Sequence, residues 1–254
     1  MVFIAWQSRI LFKKIPFVGK LLNCIDAAGR SLQAAPMEPS SMPSEEEWYA
    51  RVPERFRERP EFAAVADDPT LPRVLLLGDS ISMGYTLPVR RELEGVVNLH
   101  RVPDNARSTR ETLGKLDAMV GPGPWRVIHF NCGIHDITRK TGDVADPDGK
   151  SQIPIGEYER NLGKLIELLS ARCDRLLWAR TTAIKPYGIR RMEDLRAYND
   201  VADQVMKEAG IPVNDLFTLS AKHIGTLNDN VHFTEEGGAI LGAQVADCIR
   251  LALE

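Results

Sequence analysis

Residues 71–84 read LPRVLLLGDSISMG. Residues 73–77, RVLLL, form a continuous run, apolar from Val74 on, closed by Gly78. A short run without polar alternation is the pattern of a strand buried on both faces, as in the middle of a parallel sheet. The chain turns at Gly78, and the residues after Asp79 and Ser80 can begin a helix. Ser80 therefore stands just past the carboxyl end of a central strand, the edge at which open α/β sheets bind their ligands.

The same pattern recurs outward from this stretch. Residues 125–131, WRVIHFN, form a second apolar run ending at a polar tip, Asn131, followed shortly by Gly133. Residues 96–102, 175–181 and 211–216 are further strand candidates. Tyr158, Leu162, Leu165, Ile166 and Leu169 repeat at helical spacing. A second helix is expected over residues 197–209, stopped by Gly210. A last one follows Thr234 as N-cap, with Leu241, Val245, Cys248 and Ala252 along its apolar side. Strands alternating with helices predict an α/β fold with a parallel sheet of about five strands covered on both faces.

The chain has 254 residues, 44% hydrophobic and 26% charged, with a net charge of −3. One α/β domain accounts for that length. The slight acidity and few aromatics exclude a phosphate-tracking or base-stacking nucleic-acid surface, so no nucleic-acid partner is expected. Cys24, Cys132, Cys173 and Cys248 are scattered without a C-x-x-C pair, which argues against a disulfide framework or a zinc site. Cys132 and Cys173 read as buried free thiols. No apolar run reaches the ~18 residues of a membrane span. Residues 1–35 carry Arg9, Lys13 and Lys14, then an apolar stretch interrupted by Lys20, then Ala34 and Ala35. A secretory signal, an amphipathic helix on a membrane surface and a docked or disordered extension all fit that order, so the compartment is left open. Residues 36–70, rich in Pro, Ser, Glu and Arg, read as a linker or a segment wrapping the domain, which is expected over residues 71–254.

The chemistry lies in two loops. Ser80 follows the first strand, and residues 227–238, LNDNVHFTEEGG, set Asp229 and His232 three residues apart ahead of the last helix. A serine hydroxyl needs a base to attack at neutral pH. A histidine oriented by a carboxylate is such a base. Either motif alone is weak, since Ser80 could simply cap a helix and D-x-x-H is common. Together, on strand-end loops at opposite ends of the domain, they form a coherent set.

These residues resemble the blocks of the SGNH (GDSL) hydrolase superfamily over residues 71–254. LLLGDSISMGY is similar to the family's first block, with Ser80 as nucleophile and one backbone oxyanion donor. Residues 229–232 are similar to its D-x-x-H, and HFTEEGG to its ending. The resemblance implies a three-layer α/β/α sandwich, flavodoxin-like, with strand order 2-1-3-4-5, and a serine esterase acting through an acyl-enzyme without metal or organic cofactor. A small-molecule or carbohydrate ester, with O-acetyl groups favoured, is the implied substrate. An acyltransferase using the same triad and a catalytically weak or inactive binding protein of the same fold are the alternatives. The middle blocks depart from the pattern. In PDNARSTRET, residues 103–112, Ala106 best matches the family's oxyanion glycine, with Arg107 as the alternative. In Gly133-Ile134-His135-Asp136, His135 stands where the family carries an oxyanion asparagine, a variant found in some members. A neutral imidazole can donate one hydrogen bond in its place. Asn131 and Gly133 are the remaining candidates for oxyanion or substrate contact.

Other residues read as structural. Asp79 and Asp136 are expected to brace loops, His100 and His129 to be packed, and Arg107 and Arg110 to be solvated. Residues 141–150, TGDVADPDGK, lack calcium-loop spacing and read as a surface loop on the rim of the site. No P-loop, H-E-x-x-H or dinucleotide fingerprint occurs.

Overall fold

Arg73–Leu77 is strand β1 of a five-stranded parallel sheet, and its neighbours explain its composition. The computed structural model describes residues 43–254. In chain order its regular elements are α1 (Glu45–Arg51), β1, α2 (Ser80–Glu92), β2 (Asn98–Arg101), α3 (Thr109–Gly114), α4 (Leu116–Val120), β3 (Trp125–Phe130), β4 (Arg139–Thr141), β5 (Val144–Ala145), β6 (Lys150–Ser151), α5 (Ile155–Ser170), β7 (Cys173–Ala179), α6 (Met192–Ala209), β8 (Val213–Asn214), α7 (Leu216–Lys222) and α8 (Glu235–Leu253). The main sheet runs β2-β1-β3-β7-β8, all pairs parallel. Counted along the main sheet alone this is the expected order 2-1-3-4-5.

β1 and β3 lie inside the sheet and bury Val74 to Leu77 and Val127 to Phe130. α2, α7 and α8 pack as one group of helices, and α3, α5 and α6 as another, giving three layers. The approach of α8 to α2 depends on glycine. A β-carbon on Gly242 would stand 2.5 Å from Cβ of Pro88, and one on Gly238 would stand 2.7 Å from the carbonyl oxygen of Gly84. These two close approaches seat the first half of α8 against α2.

Two local expectations need correction. Residues 141–150 are not an irregular loop: they belong to a small antiparallel sheet, β5-β4-β6. Its strands are too short and too exposed to show an alternating pattern. The helix expected from residue 197 begins at Met192, after an N-cap, Arg191, that makes no side-chain cap and so leaves no sequence signal.

Ahead of β1, α1 is capped by a reciprocal pair, Ser44 accepting from the Glu47 N–H and Glu47 accepting from the Ser44 N–H. Trp48, Val52 and Phe62 are buried with Met83 of α2, and the Trp48 indole donates to the Phe62 carbonyl at 2.7 Å. Among the described residues Cys132, Cys173 and Cys248 are free thiols. No helix among them is long and apolar enough to cross a membrane. The signal-like or membrane-surface readings of residues 1–35, and Cys24, lie outside the described residues.

Candidate active site

β1 ends at Leu77 and the chain bends into α2 with Asp79 as N-cap. Its carboxylate accepts from the Ile81 N–H at 2.9 Å. Asp79 is thus a brace, as expected, and the bend sets Ser80 as the first residue of α2. There its own N–H has no carbonyl partner within the helix and lies at the positive end of the helix dipole.

The second half comes from the loop between α7 and α8. Leu227 and Phe233 pair as an isolated antiparallel bridge, and the Asn228 N–H donates to the His232 carbonyl at 2.8 Å. Lys185 N–H holds the loop from outside through the Asn230 carbonyl at 2.9 Å. Thr234 then caps α8 by accepting from the Gly237 N–H. Inside this turn Asp229 Oδ1 accepts from the N–H groups of Val231 and His232, each at 2.7 Å.

The three expected side chains meet. His232 Nε2 lies 2.8 Å from Ser80 Oγ, and His232 Nδ1 lies 2.7 Å from Asp229 Oδ2. Partial burial acts to raise the Asp229 carboxyl, but the two backbone N–H bonds and the imidazole outweigh it and hold the group down at about 2. The carboxylate therefore stays charged across the neutral range and fixes the imidazole with a proton on Nδ1, leaving Nε2 to accept from the serine hydroxyl. The relay is open, Asp229 being 51% and His232 43% exposed. It borders a cleft of about 260 Å³ whose wall includes Ser80, Met83, His232, Phe233 and Leu241.

The oxyanion candidates separate. The Ala106 N–H is committed to the Gly78 carbonyl at 3.2 Å, and the residue is fully buried. The residue that adopts a left-handed conformation, the one a glycine would favour, is Arg107 at φ 58°. Its N–H donates to the nearby Asn105 Oδ1 at 2.9 Å. The reading of Ala106 as an oxyanion donor is corrected accordingly; of the two residues it is Arg107 that holds the backbone conformation a glycine would favour. Asn131 is corrected too: both its amide hydrogens are used, on the Ala179 carbonyl at 2.6 Å and on Thr181 Oγ1 at 3.2 Å. It ties the end of β3 to the end of β7 and has no amide hydrogen left for an oxyanion.

Gly133 is required by close approach, since a β-carbon there would stand 2.3 Å from Thr181 Oγ1. It lets the chain after β3 pass close against Thr181. Asp136 accepts from Thr109 N–H at 3.0 Å and Thr109 Oγ1 at 2.6 Å, tethering α3. His135 is half-buried. Burial holds its imidazole below the ordinary value, and Arg190 and Arg107 act in the same direction against the opposing pull of Asp79 and Glu111. At neutral pH the ring is neutral and carries one N–H donor. His100 and His129 are packed, as expected, His100 on Asp67 at 2.7 Å and His129 beside Asn214 at 3.2 Å. Arg110 is not simply solvated: it makes a two-pronged pair with Glu157 at 2.8 Å on each side. Among the described residues no group of three or more His, Cys, Asp or Glu could hold a metal ion. Arg59, from the segment before β1, also lines the Ser80 cleft. Sequence reasoning missed it, because nothing in residues 43–70 announces which surface they cover.

No family model matches the chain, and no curated protein does. Solved structures do. The acetyl xylan esterase AlAXEase aligns with a TM-score of 0.59 at 14% identity, over 70% of this chain and 99% of that one. The lipase/acylhydrolase from Enterococcus faecalis aligns with a TM-score of 0.58 at 21% identity, over 72% of this chain and 97% of that one. A GDSL-like lipase from Bacteroides thetaiotaomicron VPI-5482 aligns with a TM-score of 0.57 at 17% identity, over 71% and 89%. At these identities the likeness establishes architecture: the chain shares the three-layer α/β/α fold of these esterases and lipases.

Proposed function

We propose that this protein is a serine esterase of the SGNH/GDSL type, cleaving carboxylic esters through an acyl-enzyme on Ser80. The observation that carries the reading is the continuous relay from Asp229 through His232 to Ser80, with both links within 2.8 Å. A serine with such a base at the mouth of a cleft and at a helix N-terminus has what acyl transfer requires.

His232 Nε2 takes the hydroxyl proton as Ser80 Oγ bonds to the ester carbonyl carbon. The negative charge that develops on the carbonyl oxygen meets the N–H of Ser80 at the positive end of α2, with the neutral His135 ring as a further donor. Asp229 stabilises the imidazolium without taking its proton. Collapse of the intermediate breaks the carbon–oxygen bond, and His232 protonates the departing alcohol. A water molecule then attacks the acyl-Ser80 ester, His232 accepts its proton, and the acid leaves as Ser80 regains its hydrogen. One ester and one water become one acid and one alcohol, every proton moving through His232.

Short acyl groups, with O-acetyl carbohydrate as the favoured class, suit the modest cleft. That two of the similar folds belong to acetylxylan esterases supports this choice. The test is turnover of p-nitrophenyl esters of increasing acyl length and of acetylated xylo-oligosaccharides by wild type and Ser80→Ala. Hydrolysis lost in the variant supports the reading. An unchanged rate in Ser80→Ala overturns it.

A further inference from the structure

The wall of the Ser80 cleft has an unbalanced charge. Among the described residues that line it there is no carboxylate, and one permanent cation, Arg59. Arg59 pairs with Glu61, but the two differ in exposure: Glu61 is 8% open and Arg59 48%. The positive member of the pair therefore faces solvent while the negative member is withdrawn. The charge of Glu61 also acts on the guanidiniums of Arg90 and Arg101. Arg101 is buried, with two of its nitrogens lacking a hydrogen-bond partner among the described residues. One buried carboxylate set against three guanidiniums leaves the Arg59 side of the cleft positive.

The remaining wall strengthens the effect. Ile81, Met83, Phe233 and Leu241 line the same cleft with apolar side chains. A charge pair formed against such a surface is screened less than one in open water. A planar guanidinium also matches a carboxylate in two-pronged fashion. We propose that Arg59 is a specificity-determining residue and that the cleft takes esters bearing a carboxylate close to the scissile bond. This inference rests on the esterase reading and narrows its substrate class to acidic esters: the half-ester of a short dicarboxylic acid if the charge is on the acyl side, an acylated acidic alcohol such as a uronic-acid sugar if it is on the other.

Matched pairs distinguish the two sides. p-Nitrophenyl hemisuccinate against its methyl ester probes the acyl side, and 4-acetoxybenzoate against its methyl ester probes the alcohol side. In wild type the charged member of at least one pair is favoured in kcat/KM by about tenfold. Arg59→Gln collapses that ratio, Arg59→Lys keeps part of it, and added salt narrows it. Equal rates for charged and neutral members in wild type, or a ratio that survives Arg59→Gln, overturn the proposal. If wild type turns over none of the four, it is the esterase reading that fails. The cleft is then tested by calorimetry with the non-hydrolysable N-phenylsuccinamate and its methyl ester. Tighter binding of the charged amide that is lost in Arg59→Gln supports the anion site, and no difference overturns it.

Discussion

The carboxylate of Asp229 holds His232 at two points, one oxygen on the ring Nδ1 at 2.7 Å and the other on the backbone N–H of the same residue at 2.7 Å. The imidazole is thus fixed in both position and tautomer. Asp229→Asn keeps the size but presents an amide to Nδ1 and favours the wrong tautomer. Its expected effect is a fall in kcat of ~10³–10⁴-fold with KM little changed. Steady-state kinetics on a p-nitrophenyl ester check this, and a variant with near-normal kcat would remove Asp229 from the relay.

His135 is expected to act as a neutral donor to the oxyanion. His135→Ala should lower kcat by ~100-fold, as loss of one such donor does elsewhere, while His135→Asn, which keeps an N–H donor, should lose less. If Ala and Asn behave alike, with kcat unchanged in both, the ring has no part in charge stabilisation.

How far the sequence discloses this site depends on the kind of signal each residue leaves. β1 and β3 are legible because both their faces are covered, which forces unbroken apolar runs. Ser80, Asp229 and His232 are legible because chemistry dictates their identity. Ala106 against Arg107 was not legible, since backbone φ leaves no mark on an Ala-Arg pair when neither is glycine. Asn131 looked like an available amide because a sequence does not reveal that Ala179 and Thr181 lie across from it. α1 did carry a signal, the Ser44/Glu47 capping pair, but seven residues are too few to display a helical period. The strands of the small sheet, two or three residues each, are shorter than any alternation could mark.

Gly133 and Thr181 make a prediction about packing rather than chemistry. Gly133→Ala forces its β-carbon into Thr181 Oγ1, and overpacking of this kind costs ~1–3 kcal/mol. Removing the obstacle in Gly133→Ala/Thr181→Ala should recover part of the loss, a non-additivity expected of residues in contact. Urea denaturation of the four proteins measures it. Strictly additive effects would show that the clash is relieved elsewhere.

Asp136 makes stability depend on pH. Burial pushes its carboxyl up from 3.8 to about 7, against the opposing hydrogen bonds from Thr109. Between those two values the folded state binds more protons than the unfolded state. The contribution of this group is fully present below 3.8 and is lost as pH rises through about 7. Its slope is at most ~1.4 kcal/mol per pH unit. Urea unfolding at a series of pH values should show wild type losing stability across this window relative to Asp136→Asn. Parallel profiles would contradict the assignment.

The whole account rests on a nucleophilic hydroxyl at Ser80, and intact-protein mass spectrometry after exposure to a fluorophosphonate reads that property without choosing a substrate. The expected result is one adduct per chain, mapped to Ser80, absent in Ser80→Ala and strongly slowed in His232→Ala. A chain that stays unlabelled, or an adduct on another residue that survives in Ser80→Ala, would contradict it.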